Sequence, residues 1–180
     1  MSKDGSGKLA FNSKSIEIEL EVSKSEYDNE RERTSKIDNK TNIALPVIAG
    51  LFLFIAPLNN YKEIFGVAVN SFKDIIIPGT VFLSYTTALV FSLISSLFMI
   101  RVIFTKEYRQ VNPRTLYKES YLSKHSAVIS IDLIKAYIET TEINKDINDK
   151  RVRFYKKGWI FAIVSIIATA IFAILKNLYM

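Results

Sequence analysis

The side chains that carry most protein chemistry are nearly missing from this 180-residue chain. It has no cysteine and a single histidine, His125, so no thiolate nucleophile, disulfide framework or paired-histidine metal site can be assembled. Its six glycines stand apart at 5, 7, 50, 66, 79 and 158, too dispersed for a phosphate-cradling loop. Two groupings remain. The first is a run of hydroxyls, Thr80, Ser84, Thr86, Thr87, Ser92, Ser95 and Ser96, set in an apolar stretch. On a helix, Thr80, Thr87 and Ser95 fall within about 60° of Ser84. Thr80, Ser84, Ala88, Ser92 and Ser96 also repeat at spacing four. Such a surface either lets another helix approach closely or, arranged around an axis, hydrates a narrow pore. Thr80, Ser84, Thr87, Ala88, Ser92 and Ser95 are therefore candidate pore-lining or helix-packing residues.

The second grouping is basic. Arg101, Arg151, Arg153, Lys156 and Lys157 flank apolar runs, where they can hold a lipid headgroup or the phosphate of a ligand. Plain anchoring of the chain at the cytoplasmic face accounts for them equally well. Aromatic residues are not interleaved with them as a base-stacking platform requires, which argues against nucleic acid. No carboxylate or basic group lies in the middle of an apolar run, as a proton relay or voltage sensor would need. We expect no enzyme, no cofactor and no metal.

The elements that must position these residues follow from the charge pattern. Residues 1–42 carry 8 Lys/Arg and 9 Asp/Glu, 43–100 carry only Lys62, Glu63, Lys73 and Asp74, and 101–157 carry 13 basic and 7 acidic groups. A soluble globule spreads its charge over its whole surface; this chain confines it to blocks. Three apolar runs result. Residues 43–58, with Pro46 expected in the first helical turn, rise only about 24 Å, short for a hydrocarbon core of about 30 Å. A buried helix of a soluble core is the alternative there, and the polar residues ahead of it speak against a cleaved signal. Residues 75–100 hold no charge, and 158–175 are bracketed by Lys156, Lys157 and Lys176, with Trp159 and Tyr179 near the ends, where aromatic rings favour the interface. Three crossings put 1–42 and 101–157, with 21 Lys/Arg, on one side, against Lys62, Lys73 and Lys176 on the other. The positive-inside rule makes the N-terminus cytoplasmic and places the C-terminus outside.

The expected fold is thus an all-α membrane protein. A polar tail (1–41) precedes a two-span hairpin (43–104), a basic helical segment (105–157) and a third transmembrane helix (158–175). Within the tail, 1–15 read as disordered, and 16–22 (IEIELEV) alternate aliphatic and Glu residues as a strand does, or as a transient extended stretch would. Residues 23–41 read as a solvated helix or a linker. A short helix is expected over 115–122. A long one then runs from about Val128 into the last span, with Ile129, Leu133, Ala136, Tyr137, Thr140, Ile143, Ile147 and Phe154 on a stripe about 120° wide. A lone helix cannot leave such a stripe in water; the cover must come from the 115–122 helix, the N-terminal segment or other copies of the chain, and self-association of Ile129, Leu133, Tyr137, Ile143, Ile147 and Phe154 into an oligomer stalk is the economical one.

The order of elements, with NPRTLYKE at 112–119 and EINKDINDKRVRFYKKGWIFAIV at 142–164, resembles the small transmembrane effectors of bacterial anti-phage signalling, the Pycsar-type and SLATT-type proteins. The likeness covers roughly 35–180 and includes Asn144, Ile147 and Lys150 ahead of the final span. It implies a protein that oligomerises in the bacterial inner membrane and compromises it once infection is sensed, commonly on a nucleotide signal from a partner enzyme. No separate nucleotide-binding domain is visible, so sensing would fall to the cytoplasmic helices or to a partner defence protein. The competing expectation is a non-conducting membrane anchor that recruits a soluble partner through its tail and basic helix. An enzyme acting on lipid is disfavoured, because no nucleophile–base pair is present.

Overall fold

The computed structural model describes residues 13–55, 73–105, 108–112 and 126–179. They form three α-helices, α1 (Ser13–Ile55), α2 (Lys73–Phe104) and α3 (Ser126–Tyr179), with no strand among the described residues. The expected helix over 115–122, His125, the Lys62–Glu63 pair and residues 1–12 lie outside them.

The strand expected at 16–22 is instead helix, as are 13–15 and 23–41. The reason lies in which side chains are covered. Ile16 is buried, whereas Ile18 and Val22 remain 54% and 53% exposed, so half of the alternating aliphatics have no apolar neighbour to reward a pleat. Along α1 the covered positions step by four and three residues: Ile16, Leu20, Ser23, Tyr27, Glu30, Thr34, Ile37, Thr41, Ala44 and Ile48. That 3.5-residue period is a coiled-coil seam. Pro46 falls well inside this 43-residue helix rather than in its first turn, where it removes one ladder hydrogen bond.

The chain divides into two compact units. The polar unit takes residues 1–36 and 107–149; the apolar unit takes 37–106 and 150–180. In the apolar unit α2 buries Val81, Tyr85, Ala88, Ser92, Ser95, Met99 and Val102, again a four-three seam. One core cluster joins Ile55 of α1 with Val81, Tyr85 and Ala88 of α2 and Ala168 and Phe172 of α3. A second joins Ala44, Ile48, Met99 and Ala162. Within this unit α1 and α3 therefore run in one direction and α2 runs against them. Among the described residues two helices are long and apolar enough to cross a membrane, Ile75–Phe104 and Ser126–Leu178. The run expected as a first crossing is described as far as Ile55, as the end of α1, and is not one of them.

Candidate functional site

The hydroxyls of α2 divide into two sets. Thr80, Ser84, Thr86 and Ser96 donate to carbonyls of their own helix, at 2.8, 2.8, 2.9 and 3.0 Å; Thr80 is exposed, and Ser84, Thr86, Thr87 and Ser96 are half-buried. Ala88, Ser92 and Ser95 are fully buried, and what they touch belongs to the same chain. Ser95 donates to the carbonyl of Gly158 on α3 at 2.7 Å. Ser165 of α3 returns the contact, donating to the carbonyl of Ala88 at 2.8 Å. A Cβ at Gly158 would stand 2.9 Å from Met99 Cε, so the end of that side chain would have to move aside. Ser92 differs from its neighbours, because its buried hydroxyl has no partner; the carbonyl one turn back, that of Ala88, already receives Ser165.

The basic grouping also separates. Arg151 is 1% exposed. Its Nε donates to the Val102 carbonyl at 3.0 Å, and its other end pairs with Asp38 of α1. One guanidinium thus ties α3 to α1 and satisfies one of the last carbonyls of α2, which the helix itself leaves open. Arg101 lies over the Phe154 ring at 5.6 Å and Lys157 over Phe98 at 5.9 Å. Arg101, Arg153, Lys156 and Lys157 are exposed, so they remain open to a phosphate, while Arg151 is occupied by protein.

In the polar unit the seam is built of amides, hydroxyls and phenol rings. Asn148 Nδ2 donates to the Glu30 carboxylate at 2.9 Å and to the Thr34 hydroxyl at 3.1 Å. Arg33 bridges Glu30 at 3.2 Å and Asp149 at 2.6 Å. Asn144 uses both ends of its amide on one residue, accepting from the Arg109 N–H at 2.9 Å and donating to its carbonyl at 3.0 Å. Tyr27 packs against Tyr137 at 5.4 Å and Tyr108 at 6.3 Å. The six residues expected to form a stalk, Ile129, Leu133, Tyr137, Ile143, Ile147 and Phe154, are all half-buried within one chain. The most deeply covered positions of this part of α3 are Ile134, Asn144 and Asn148. A count of apolar residues alone passes over the two asparagines, as it passes over Asp38, Gly158 and Ser165.

Among the described residues no group of three or more His, Cys, Asp or Glu could hold a metal. What the geometry offers is an apolar helical unit with hydroxyls in its seam, and a polar unit held by hydrogen bonds. Comparison with curated proteins and with solved structures finds no match. The Pycsar effector protein domain, in contrast, matches residues 23–176. With most of its length inside that match, the chain belongs to the Pycsar transmembrane effector family and is a membrane effector of anti-phage defence.

Proposed function

We propose that this effector acts without enzymatic chemistry, by oligomerising in the inner membrane and opening a path through it that depolarises the cell. One observation carries the reading: midway along the apolar unit, between ends packed with Ile, Val, Met and Phe, the α2–α3 seam is small and hydroxylated. It holds Ala88, Ser92, Ser95, Gly158, Ala162 and Ser165, while Leu83, Leu97, Ile160, Ile163 and Ile167 face outward. Small and hydroxyl residues inside and large aliphatics outside suit helices packed in lipid. Thr80, Ser84 and Thr87 stay wholly or partly uncovered in one chain and are the hydroxyls left to face an axis between copies.

The reading takes three crossings. The end of α1 packs Ala44 and Ile48 against Met99 and Ala162, and exposes Ile43, Val47, Leu53 and Phe54, which lipid would cover. With Lys and Arg concentrated in 1–42 and 101–157, the N-terminus is cytoplasmic and the C-terminus outside. The polar unit is then the part that meets the trigger, a signalling nucleotide or a partner defence protein.

The test is conductance. Replacing Ser84 and Thr87 together by Leu abolishes ion flux and depolarisation while leaving assembly, read by crosslinking, unchanged. Undiminished flux removes these residues from the pore. The second reading, an anchor that recruits a soluble partner, draws on the exposed Ile18 and Val22. Because 16–22 are helical, that partner would meet a helix face and not pair with a strand edge. It is told apart by the absence of any permeability change on expression, with and without neighbouring defence genes.

A further inference from the structure

On the outer side of the α1–α3 contact in the apolar unit lies an open cavity of about 320 Å³. Val47, Gly50 and Phe54 form one wall and Trp159, Ala162 and Ile166 the other. The volume falls at the small end of the range that buries a ligand, about 300–1,000 Å³. A Cβ added at Gly50 would stand in open space, with nothing within 4 Å.

We propose that this groove seats one acyl chain of an anionic phospholipid, with Lys40 and Lys156 at its headgroup. The inference rests on the membrane reading above, and the charges at the groove's end select the occupant. Lys40 precedes Val47 by two helical turns, about 20° away on the wheel and roughly 10 Å nearer the helix start. Lys156 precedes Trp159 by three residues. Because α1 and α3 run in one direction here, both lysines lie beyond the same end of the groove. Both are exposed, and among the described residues neither is in an ion pair, whereas Arg151 is held by Asp38 and Lys157 lies over Phe98. Trp159 sits at that end too, and an indole favours the depth where acyl chains meet headgroups. Long lysine stems reach outward from such positions to a phosphate. A helix from a second copy could fill the apolar walls but would leave two cations at the mouth unused; a phospholipid with net negative charge satisfies both parts at once.

Trp159 is the chain's single tryptophan, so the groove carries its own reporter. The full chain is reconstituted into phosphatidylcholine vesicles containing, at equal mole fraction, either phosphatidylglycerol or phosphatidylcholine brominated in mid-chain, and Trp159 quenching is measured. We expect brominated phosphatidylglycerol to occupy the groove in preference by a factor on the order of ten, as two membrane-proximal lysines would produce. Lys40→Gln with Lys156→Gln brings the two lipids to parity, and Gly50→Leu, whose side chain enters open space, lowers quenching by both. Equal quenching by the two lipids in the unaltered chain overturns the proposal. So does a Gly50→Leu variant that is quenched as before, or one that alters oligomer size while lipid quenching stays the same. If the lipid preference is absent in a chain that still depolarises cells, this inference fails and the effector reading stands. If neither brominated lipid quenches Trp159, the membrane placement of the groove fails with it.

Discussion

The two units are built on the same helical spacing and use it in opposite ways. In the polar unit the four-three seam holds Ser23, Thr34, Asn144 and Asn148, and the side chains that turn outward are mainly charged. In the apolar unit the outward side chains are mainly Leu, Ile and Phe, and the seam joins Ile, Val, Met and Phe at its ends through a small, hydroxylated middle. Water rewards the removal of apolar surface from solvent; lipid tails do not, so helices there are held by close approach and by hydrogen bonds between them. The same period therefore joins Asn148 to Glu30 and Thr34 in one unit, and Ser95 to the Gly158 backbone in the other. Both seams depend on specific polar contacts, and they differ in how much an error costs.

The sharpest way to break the comparison is at Arg151, among the described residues the one full charge buried in the apolar unit. Arg151→Ala removes the guanidinium from Asp38 and leaves the Val102 carbonyl without its side-chain donor. Breaking a fully buried ion pair from one side costs about 3–5 kcal/mol; with Asp38 26% exposed, the loss should be about 2–3 kcal/mol, read as a lowered unfolding midpoint in detergent. Arg151→Lys should recover little, because a single ammonium cannot serve the carbonyl and the carboxylate with a fork's geometry. Arg151→Met should cost less than Arg151→Ala, because its apolar stem fills the space of the arginine stem without leaving a cavity. A near-neutral Arg151→Ala would mean that the three helices are held together at this level by packing alone.

A matched pair of substitutions sharpens the contrast at smaller cost. Asn148→Ala in the polar unit removes the donor that Glu30 and Thr34 accept from, and should cost about 1–3 kcal/mol. Ser92→Ala in the apolar unit removes a hydroxyl that has no partner, and should stabilise by about 1 kcal/mol. Both read out in the same unfolding experiment. If Ser92→Ala destabilises instead, its hydroxyl has found a partner, such as a buried water, and the apolar seam is wetter than its protein contacts imply.

How much of this was legible beforehand depends on what each residue does for its helix. The apolar character of 75–100 and 158–175 is plain from composition, because a lipid-facing surface must be apolar along its whole length. The continuity of the helix from about Val128 is carried by the absence of proline and by its apolar stripe. The seam of α1 was hidden, because its Ser23, Thr34 and Thr41 look like solvated residues until a facing helix is in place. Residues 16–22 misled for a related reason: alternation of Ile and Glu fits a pleat, yet a helix that buries Ile16 and leaves Ile18 and Val22 exposed also satisfies it. Arg151 was indistinguishable from the basic residues around it, since a membrane-flanking charge and a buried helix staple share one residue type. Among the hydroxyls of α2, sequence spacing marked the face and could not say that Ala88, Ser92 and Ser95 meet α3 of the same chain.

The smallest expected effect lies in the polar unit and concerns pH. Burial, and then the neighbouring Tyr27 hydroxyl, push the Tyr108 phenol above its ordinary value. The folded chain therefore keeps this proton to higher pH than the unfolded chain, whose phenol ionises near pH 10. Below that pH both states are protonated and the group adds no slope. Above it the unfolded state holds fewer protons than the folded one, so stability falls as pH rises. Chemical denaturation followed by helicity between pH 8 and pH 11 should show that decline, and Tyr108→Phe should flatten it while leaving the neutral-pH midpoint little changed. Because Tyr27 packs beside Tyr108, Tyr27→Phe should flatten it only in part: burial, the larger cause, would persist and the hydroxyl neighbour would not. If Tyr27→Phe flattened it as fully as Tyr108→Phe, the neighbouring hydroxyl and not burial would be the main source of the shift. The tyrosine cluster would then be a polar contact like that of Asn148, not the small apolar core of an otherwise hydrogen-bonded unit.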